Sequence, residues 1–207
     1  MTNPNIVVAD YGVGNTYSVT NAISYLGYRK LRISDNEKQI READALILPG
    51  VGAFEACANN LRARNLDVIL NEIVLVKKKP ILGICVGMQL LVTESEENGL
   101  HAGLNWIPGK VKKLNLPHEF AVPHVGWNNV KFNVKDPLFS RNQEEANFYF
   151  DHSYYFSCDE QFVAAYCEYG IKVTAAVQSG NIFGVQFHPE KSQNNGLKLF
   201  RSFFNSI

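Results

Sequence analysis

Residues 81–91 read Ile81-Leu82-Gly83-Ile84-Cys85-Val86-Gly87-Met88-Gln89-Leu90-Leu91, and the fold follows from how this stretch changes character. Pro80 precedes it and stops a helical pattern covering about Leu66 to Lys78, since proline cannot continue a helix. Ile81 to Ile84 is an unbroken apolar run, as a strand buried on both faces requires. Met88-Gln89-Leu90-Leu91 then reads as the first turn of a helix, so Gly83-Ile84-Cys85-Val86-Gly87 is the corner between the two. The alternation recurs upstream. Ile6 to Ala9 is a buried strand, Gly12 to Asn15 a glycine turn, and a helix then runs to about Leu26 with Gly27 as its stop. Leu31 to Ile33 and Ala45 to Leu48 are further strands, and a helical pattern covers about Phe54 to Ala63. Strands alternating with helices imply a mostly parallel sheet with right-handed crossovers. Downstream, Val122 to Phe132, Phe148 to Phe150, Phe162 to Glu168, Val173 to Gln178 and Ile182 to Phe187 suit β-rich, partly antiparallel structure. A helix over about Gly196 to Phe204 closes the chain. The expected class is α/β, a mostly parallel sheet flanked by helices with an antiparallel β extension in the C-terminal half, as one domain over 1–207.

Size and charge narrow the function. A chain of 207 residues folds to roughly 9,700 Å² of surface and buries about 70% of what its extended form exposes. That supports a core without disulfides or a metal. Lys plus Arg and Asp plus Glu are 20 each, so the formal charge is zero. A neutral chain lacking a polybasic run has no electrostatic footprint for nucleic acid or an anionic membrane. No basic residue precedes the first apolar run, which therefore does not read as a secretion signal. The longest apolar stretch, Ile81 to Val92, is interrupted by Gly83, Gly87 and Gln89 and is too short to span a bilayer. Cys57, Cys85, Cys158 and Cys167 show neither a CxxC pair nor zinc-ligand spacing, so no metal is expected and a reducing cytoplasm is.

Chemistry concentrates at Cys85. Gly-x-nucleophile-x-Gly between a strand and a helix is the elbow layout, with cysteine for serine. Side chains at the flanking positions would collide with the neighbouring strand or helix, hence glycine. The turn puts the sulfur at a helix N-terminus, where the dipole favours thiolate; the plain alternative is a buried structural cysteine. Thiol acyl transfer also needs an imidazole and a group to orient it. Gly184-Val185-Gln186-Phe187-His188-Pro189-Glu190 offers both: Val185 and Phe187 alternate with Gln186 along a strand, His188 sits at its end, and Glu190 can turn back to accept the imidazole N–H. Leu46 to Gly52 is a strand running into a glycine loop at the same sheet edge. Backbone N–H groups there, with that of Val86, can stabilise an oxyanion, and Gly50 would let a peptide unit rotate.

With these residues in view, the chain resembles the class I (triad) glutamine amidotransferases. The resemblance is carried by Gly83 to Gln89 with His188-Pro189-Glu190. It is narrowed by Pro49-Gly50-Val51-Gly52, Asp10 to Asn15, Pro123-His124-Val125-Gly126-Trp127-Asn128 and Lys191-Ser192. Within the family it lies nearest the glutaminase subunits of imidazole glycerol phosphate synthase, over nearly the whole chain. It implies a flavodoxin-like fold and hydrolysis of L-glutamine through a γ-glutamyl thioester on Cys85. In it His188 is the acid–base, Glu190 its orienter, and Val51 and Val86 the oxyanion donors. Gly50, Gly52, Gln89, Glu97, Ser153 and Tyr154 match glutamine-binding positions. Asn15, Pro123, His124 and Trp127 match the face that docks a (β/α)8-barrel cyclase subunit as a heterodimer, which consumes the ammonia in histidine synthesis. No cofactor is implied. Ammonia is mostly protonated in neutral water, so it must cross a dry interface; plain core packing is the alternative role for Trp127.

One position departs from the pattern. Asp151, in Phe148-Tyr149-Phe150-Asp151-His152-Ser153-Tyr154, stands where the family usually carries an apolar residue. A paralogous branch supplies ammonia for an amidino sugar of surface polysaccharide, so the acceptor stays open between the two pathways. A cysteine peptidase or hydrolase with the same elbow would not need the Pro123 to Asn128 segment, and a non-catalytic binding relative would normally lack a triad member.

Overall fold

The computed structural model describes residues 3–133, 138 and 145–206, so residues 1, 2, 134–137, 139–144 and 207 of the expected 1–207 domain lie outside the described residues. The folded chain exposes 9671 Å², against the roughly 9,700 Å² that its mass implies.

The first half alternates as its apolar periodicity requires: β1 (Ile6–Ala9), α1 (Thr16–Tyr25), β2 (Leu31–Ser34), α2 (Glu37–Arg41), β3 (Ala45–Gly50), α3 (Phe54–Ala63), α4 (Leu66–Asn71), β4 (Ile81–Cys85) and α5 (Val86–Gln89). The expected helix from Leu66 is α4 continued by a π-helical turn over Glu72–Val76. Every residue of β1, β3 and β4 is buried, as strands covered on both faces must be. The second half contains β5 (Glu94–Ser95), β6 (His101–Ala102), β7 (Gly109–Lys113), β8 (His124–Phe132), β9 (Glu145–His152), β10 (Tyr154–Cys158), β11 (Val163–Tyr169), β12 (Ile171–Ser179), β13 (Ile182–Val185) and α6 (Gln193–Asn205).

A nine-stranded sheet runs in the order β2-β1-β3-β4-β13-β12-β11-β8-β9. It is parallel from β2 through β13 and antiparallel from β12 to β9. The parallel sheet with its antiparallel extension is as expected. A second sheet of four short strands, β10-β7-β5-β6, was not, because two-residue strands such as Glu94–Ser95 carry no readable period.

Two expectations change. The alternation of Val185 and Phe187 with Gln186 does not separate a buried from an exposed face, since all three are fully buried; β13 lies inside the sheet with β4 and β12 on its flanks. On β8, even-numbered residues point inward. His124 is therefore buried at 2% exposure, while Val125 and Trp127 face out, Trp127 at 47%. Trp127 is not core packing.

Candidate active site

The elbow forms because β4 delivers Cys85 into a corner that only its flanking glycines permit. Cys85 has φ 55° and ψ −114°, a strained backbone of the kind that clusters at functional sites. A Cβ on Gly83 would lie 2.6 Å from the Gly87 carbonyl oxygen, and one on Gly87 only 1.8 Å from that of Leu48. The helix that follows is shorter than expected: α5 has four residues, and the chain leaves it through turns closed by Leu91 N–H to Met88 O and Val92 N–H to Gln89 O. One helical turn has little macrodipole, so charge on the sulfur is handled chiefly by side chains.

The imidazole is held from several sides. Its backbone N–H donates to Tyr149 O at 2.8 Å, and its carbonyl accepts from Ser192 Oγ at 2.6 Å. Ser192 Oγ in turn accepts from Tyr149 N–H at 3.0 Å. His188 Nδ1 lies 2.8 Å from Glu190 Oε1, with side chains 3% and 1% exposed. The carboxylate can only accept there, so Nδ1 carries the proton and Nε2 is left for the sulfur. Burial by itself disfavours the imidazolium. Hydrogen bonds to Cys85 and Glu190 outweigh it and push His188 up to about 10. At neutral pH the ring therefore rests protonated, in the form a thiolate partner needs. Burial holds the other three thiols in their neutral form. Burial raises Cys57 to about 11 and Cys158 and Cys167 to about 12, which leaves them poor nucleophiles.

Cys85, His188 and Val86 open on a cavity of about 330 Å³ that Val51, Gly52, Gln89, Glu97, Ser153 and Tyr154 also line. The structure thus brings these residues, distant in sequence, to one place. Glu97 is oriented by accepting the Phe54 N–H at 2.8 Å, and Gln89 Nε2 donates to Tyr154 O at 2.9 Å. The Val51 carbonyl accepts from Cys57 Sγ at 3.5 Å.

Gly50 does not itself line this cavity. It ends β3 in register with Cys85, and a Cβ there would stand 2.5 Å from Gly87 N and 2.9 Å from Tyr11 Oη. Tyr11 Oη also holds the Pro49 carbonyl, at 2.5 Å. Gly50 serves close packing behind the elbow. The residue that needs glycine's backbone freedom is Gly52, at φ +88° with open space where a Cβ would go.

Of the expected docking residues, Trp127 is exposed and Pro123 lines the cavity rim. Asn15 is partly buried, and its Oδ1 caps α1 by accepting the Ser18 N–H at 3.3 Å. His124 lies on the inward face of β8 and is buried. Its ring stacks 3.8 Å from Tyr169 and 4.7 Å from Phe150, each within 18° of coplanar, and its Nδ1 lies 3.0 Å from His152 Nε2. His152 Nδ1 is 2.9 Å from Tyr154 O. Because that oxygen only accepts, the tautomers follow: His152 donates from Nδ1, and His124 donates from Nδ1 to His152 Nε2. His152 lines the cavity, and sequence reasoning did not single it out; the available signal was a histidine on the same strand face as Phe148 and Phe150. At the rim, Asp151 Oδ2 lies 3.9 Å from Lys191 Nζ, and both side chains are half-exposed.

The arrangement can perform nucleophilic acyl transfer. Among the described residues no group of three His, Cys, Asp or Glu side chains could hold a metal ion, and no helix is long and apolar enough to cross a membrane.

The model of the class I glutamine amidotransferase family matches residues 7–207. Imidazole glycerol phosphate synthase subunit HisH 2 of Vibrio vulnificus is 48% identical over 202 residues, covering 98% of this chain and 94% of its own. HisH 2 of Pseudomonas aeruginosa is 45% identical, covering 98% and 100%. HisH of Listeria monocytogenes is 43% identical, covering 96% and 94%. Among solved structures, PurLQS from Thermotoga maritima superposes with TM-score 0.74 at 19% identity over 99% of both chains. A glutamine amidotransferase does so with TM-score 0.75 at 17% identity over 96% and 97%. These two speak for the fold.

Proposed function

The chain belongs to the class I glutamine amidotransferases, and from that membership we propose that it is the glutaminase subunit of an imidazole glycerol phosphate synthase. It hydrolyses glutamine to glutamate and passes the ammonia to a (β/α)8-barrel cyclase subunit, its partner in a heterodimer. The observation that carries the chemistry is that Cys85 and His188 open on one cavity, with Glu190 held against the imidazole behind it. Support for the pathway is the full-length likeness to HisH subunits at 43–48% identity.

In this reading the Cys85 thiolate attacks the side-chain carbonyl carbon of glutamine. The oxygen's charge goes to the backbone N–H groups of Val51 and Val86. The intermediate collapses as His188 gives its proton to the amide nitrogen, releasing ammonia and leaving a γ-glutamyl thioester. Water then attacks with His188 as base, and collapse of the second intermediate expels the thiolate and frees glutamate. Glu190 keeps the ring in one tautomer. Gly52, Gln89, Glu97, Ser153 and Tyr154 hold the substrate, and Pro123, Trp127 and Asn15 face the cyclase. Residues 1–207 act as one glutaminase domain, in the cytoplasm, where its four free cysteines stay reduced. The second reading is a partner that builds an amidino sugar, and what supports it is Asp151, a carboxylate at the cavity rim where the family usually carries an apolar residue.

The test is product formation by the purified chain with each candidate partner. With the right one, Cys85→Ala abolishes glutamine-dependent synthesis by several orders of magnitude and leaves synthesis from ammonium salts intact. Normal glutaminase activity in Cys85→Ala removes the nucleophile assignment.

A further inference from the structure

Gln186 stands two residues before His188 in the interior of the molecule, fully buried. A primary amide there must find acceptors for its N–H groups and a donor for its oxygen. Its partners fix which end faces where. Gln89 Nε2 donates to Gln186 Oε1 at 3.0 Å, so the oxygen is occupied. Nε2 is therefore the end turned to Cys85, 3.8 Å from Sγ. A flipped amide would set two N–H₂ groups together and put a carbonyl oxygen against the sulfur, losing both contacts.

We propose that Gln186 is a further catalytic residue of this glutaminase, donating its Nε2–H to the Cys85 thiolate, with Gln89 as the positioning residue that locks the donor's orientation. The inference deepens the proposed function and rests on Cys85 being its nucleophile. Cys85 is only 4% exposed, so a sulfur anion there draws little help from water and must be stabilised by fixed donors. His188 is one, but it gives up its proton when ammonia leaves. A neutral amide N–H does not transfer its proton, so Gln186 stays a donor throughout the cycle. It is also aimed at the atom where charge reappears when the second intermediate expels the thiolate, and such a preorganised dipole needs no reorganisation at that moment. The Asp151 carbonyl oxygen, 3.9 Å from the same sulfur, accepts from the thiol and repels the thiolate. The Gln186 donor counters that repulsion.

The experiment is iodoacetamide alkylation of the full-length chain across pH, with the labelled cysteine located by mass spectrometry and folding checked by thermal melting. Gln186→Met keeps the shape and removes the donor. Cys85 alkylation at pH 7 should slow about tenfold and its profile move about one unit to higher pH. Gln186→Glu, which puts a carboxylate against the sulfur, should move it further the same way. A folded Gln186→Met chain whose Cys85 profile coincides with the parent's overturns the proposal and makes Gln186 a packing residue. If Gln186→Met does not melt cooperatively, Gln89→Leu removes only the orienting donor and should give a smaller shift of the same sign; an unchanged profile is again decisive against it. Labelling of Cys57, Cys158 or Cys167 in place of Cys85 in the parent chain would instead bring down the nucleophile reading itself.

Discussion

A Cβ on Gly87 would stand 1.8 Å from the carbonyl oxygen of Leu48, so β3 passes directly behind the corner that carries Cys85. The sharpness of the elbow is imposed by a neighbouring strand as well as by its own residues. The positive φ of Cys85 is held by that contact and by the register of Gly50 opposite Cys85.

Gly87→Ala should therefore cost at least roughly 1–3 kcal/mol of folding stability through overpacking and remove glutaminase activity. Gly50→Val should behave alike, because its Cβ would press on Gly87 N at 2.5 Å. Gly52→Ala meets no atom and faces only its left-handed backbone, a cost of about 1–2 kcal/mol. Urea unfolding of the three variants checks the order; a Gly50→Val chain as stable as Gly52→Ala would contradict it.

Glu190→Gln keeps an oxygen able to accept the His188 Nδ1–H and removes the charge that stabilises the imidazolium. Glu190 Oε2 is buried with no hydrogen-bond partner among the described residues, so that charge has the ring as its counterpart. Turnover in the assembled complex should fall by up to about 10⁴-fold with apparent glutamine affinity little changed, and less than in His188→Ala. Small, equal effects on both parameters would make Glu190 a turn residue.

Acid should destabilise the fold through the buried histidine pair. Burial lowers His124 to about 4 and His152 to about 3, whereas the unfolded rings take up protons near pH 6.5. The unfolded state thus binds more protons in between, and stability that is full at pH 7 is lost as pH falls from about 6.5 toward 3. Each ring contributes a slope of about 1.4 kcal/mol per pH unit within its window. His124→Asn, which can still donate to His152 Nε2, should remove one ring's share between pH 6 and 5 in urea titrations. An unchanged slope would show that other groups govern acid unfolding.

His188 has the opposite sign. Raised to about 10, it contributes stability that is fully present below about pH 6.5 and lost as pH climbs through 10. Cys85→Ala removes one of the two hydrogen bonds that raise it, so the decline, which starts near pH 6.5 in both chains, should be smaller and end at lower pH than the parent's. Matching thermal-melt profiles between pH 7 and 10 would argue against the charged pair.

Asp151→Val should leave thermal stability almost untouched. The 3.9 Å contact with Lys191 joins two half-exposed side chains, and such pairs contribute about 0–1 kcal/mol. A change in partner affinity, read by titration calorimetry, then reports on the rim surface alone. A large loss of melting temperature would show that Asp151 supports the fold.

Much of the site was legible before any coordinates. Gly83, Cys85 and Gly87 announce a strained corner, and His188 with Glu190 announces an oriented imidazole, because each depends on backbone constraints within a few residues. The buried runs of β1, β3 and β4 were legible for the same reason, since a strand covered on both faces must be apolar throughout. Tertiary structure alone decided the pairing of Gln89 with Gln186, the pairing of His124 with His152, and the exposure of Trp127 beside a buried His124. It also decided that Gly50 packs behind the elbow while Gly52 carries the backbone freedom. These relationships join strands through register and layer stacking. Side-chain period within one segment records which residues share a face, but what that face meets is set by the segments folded against it.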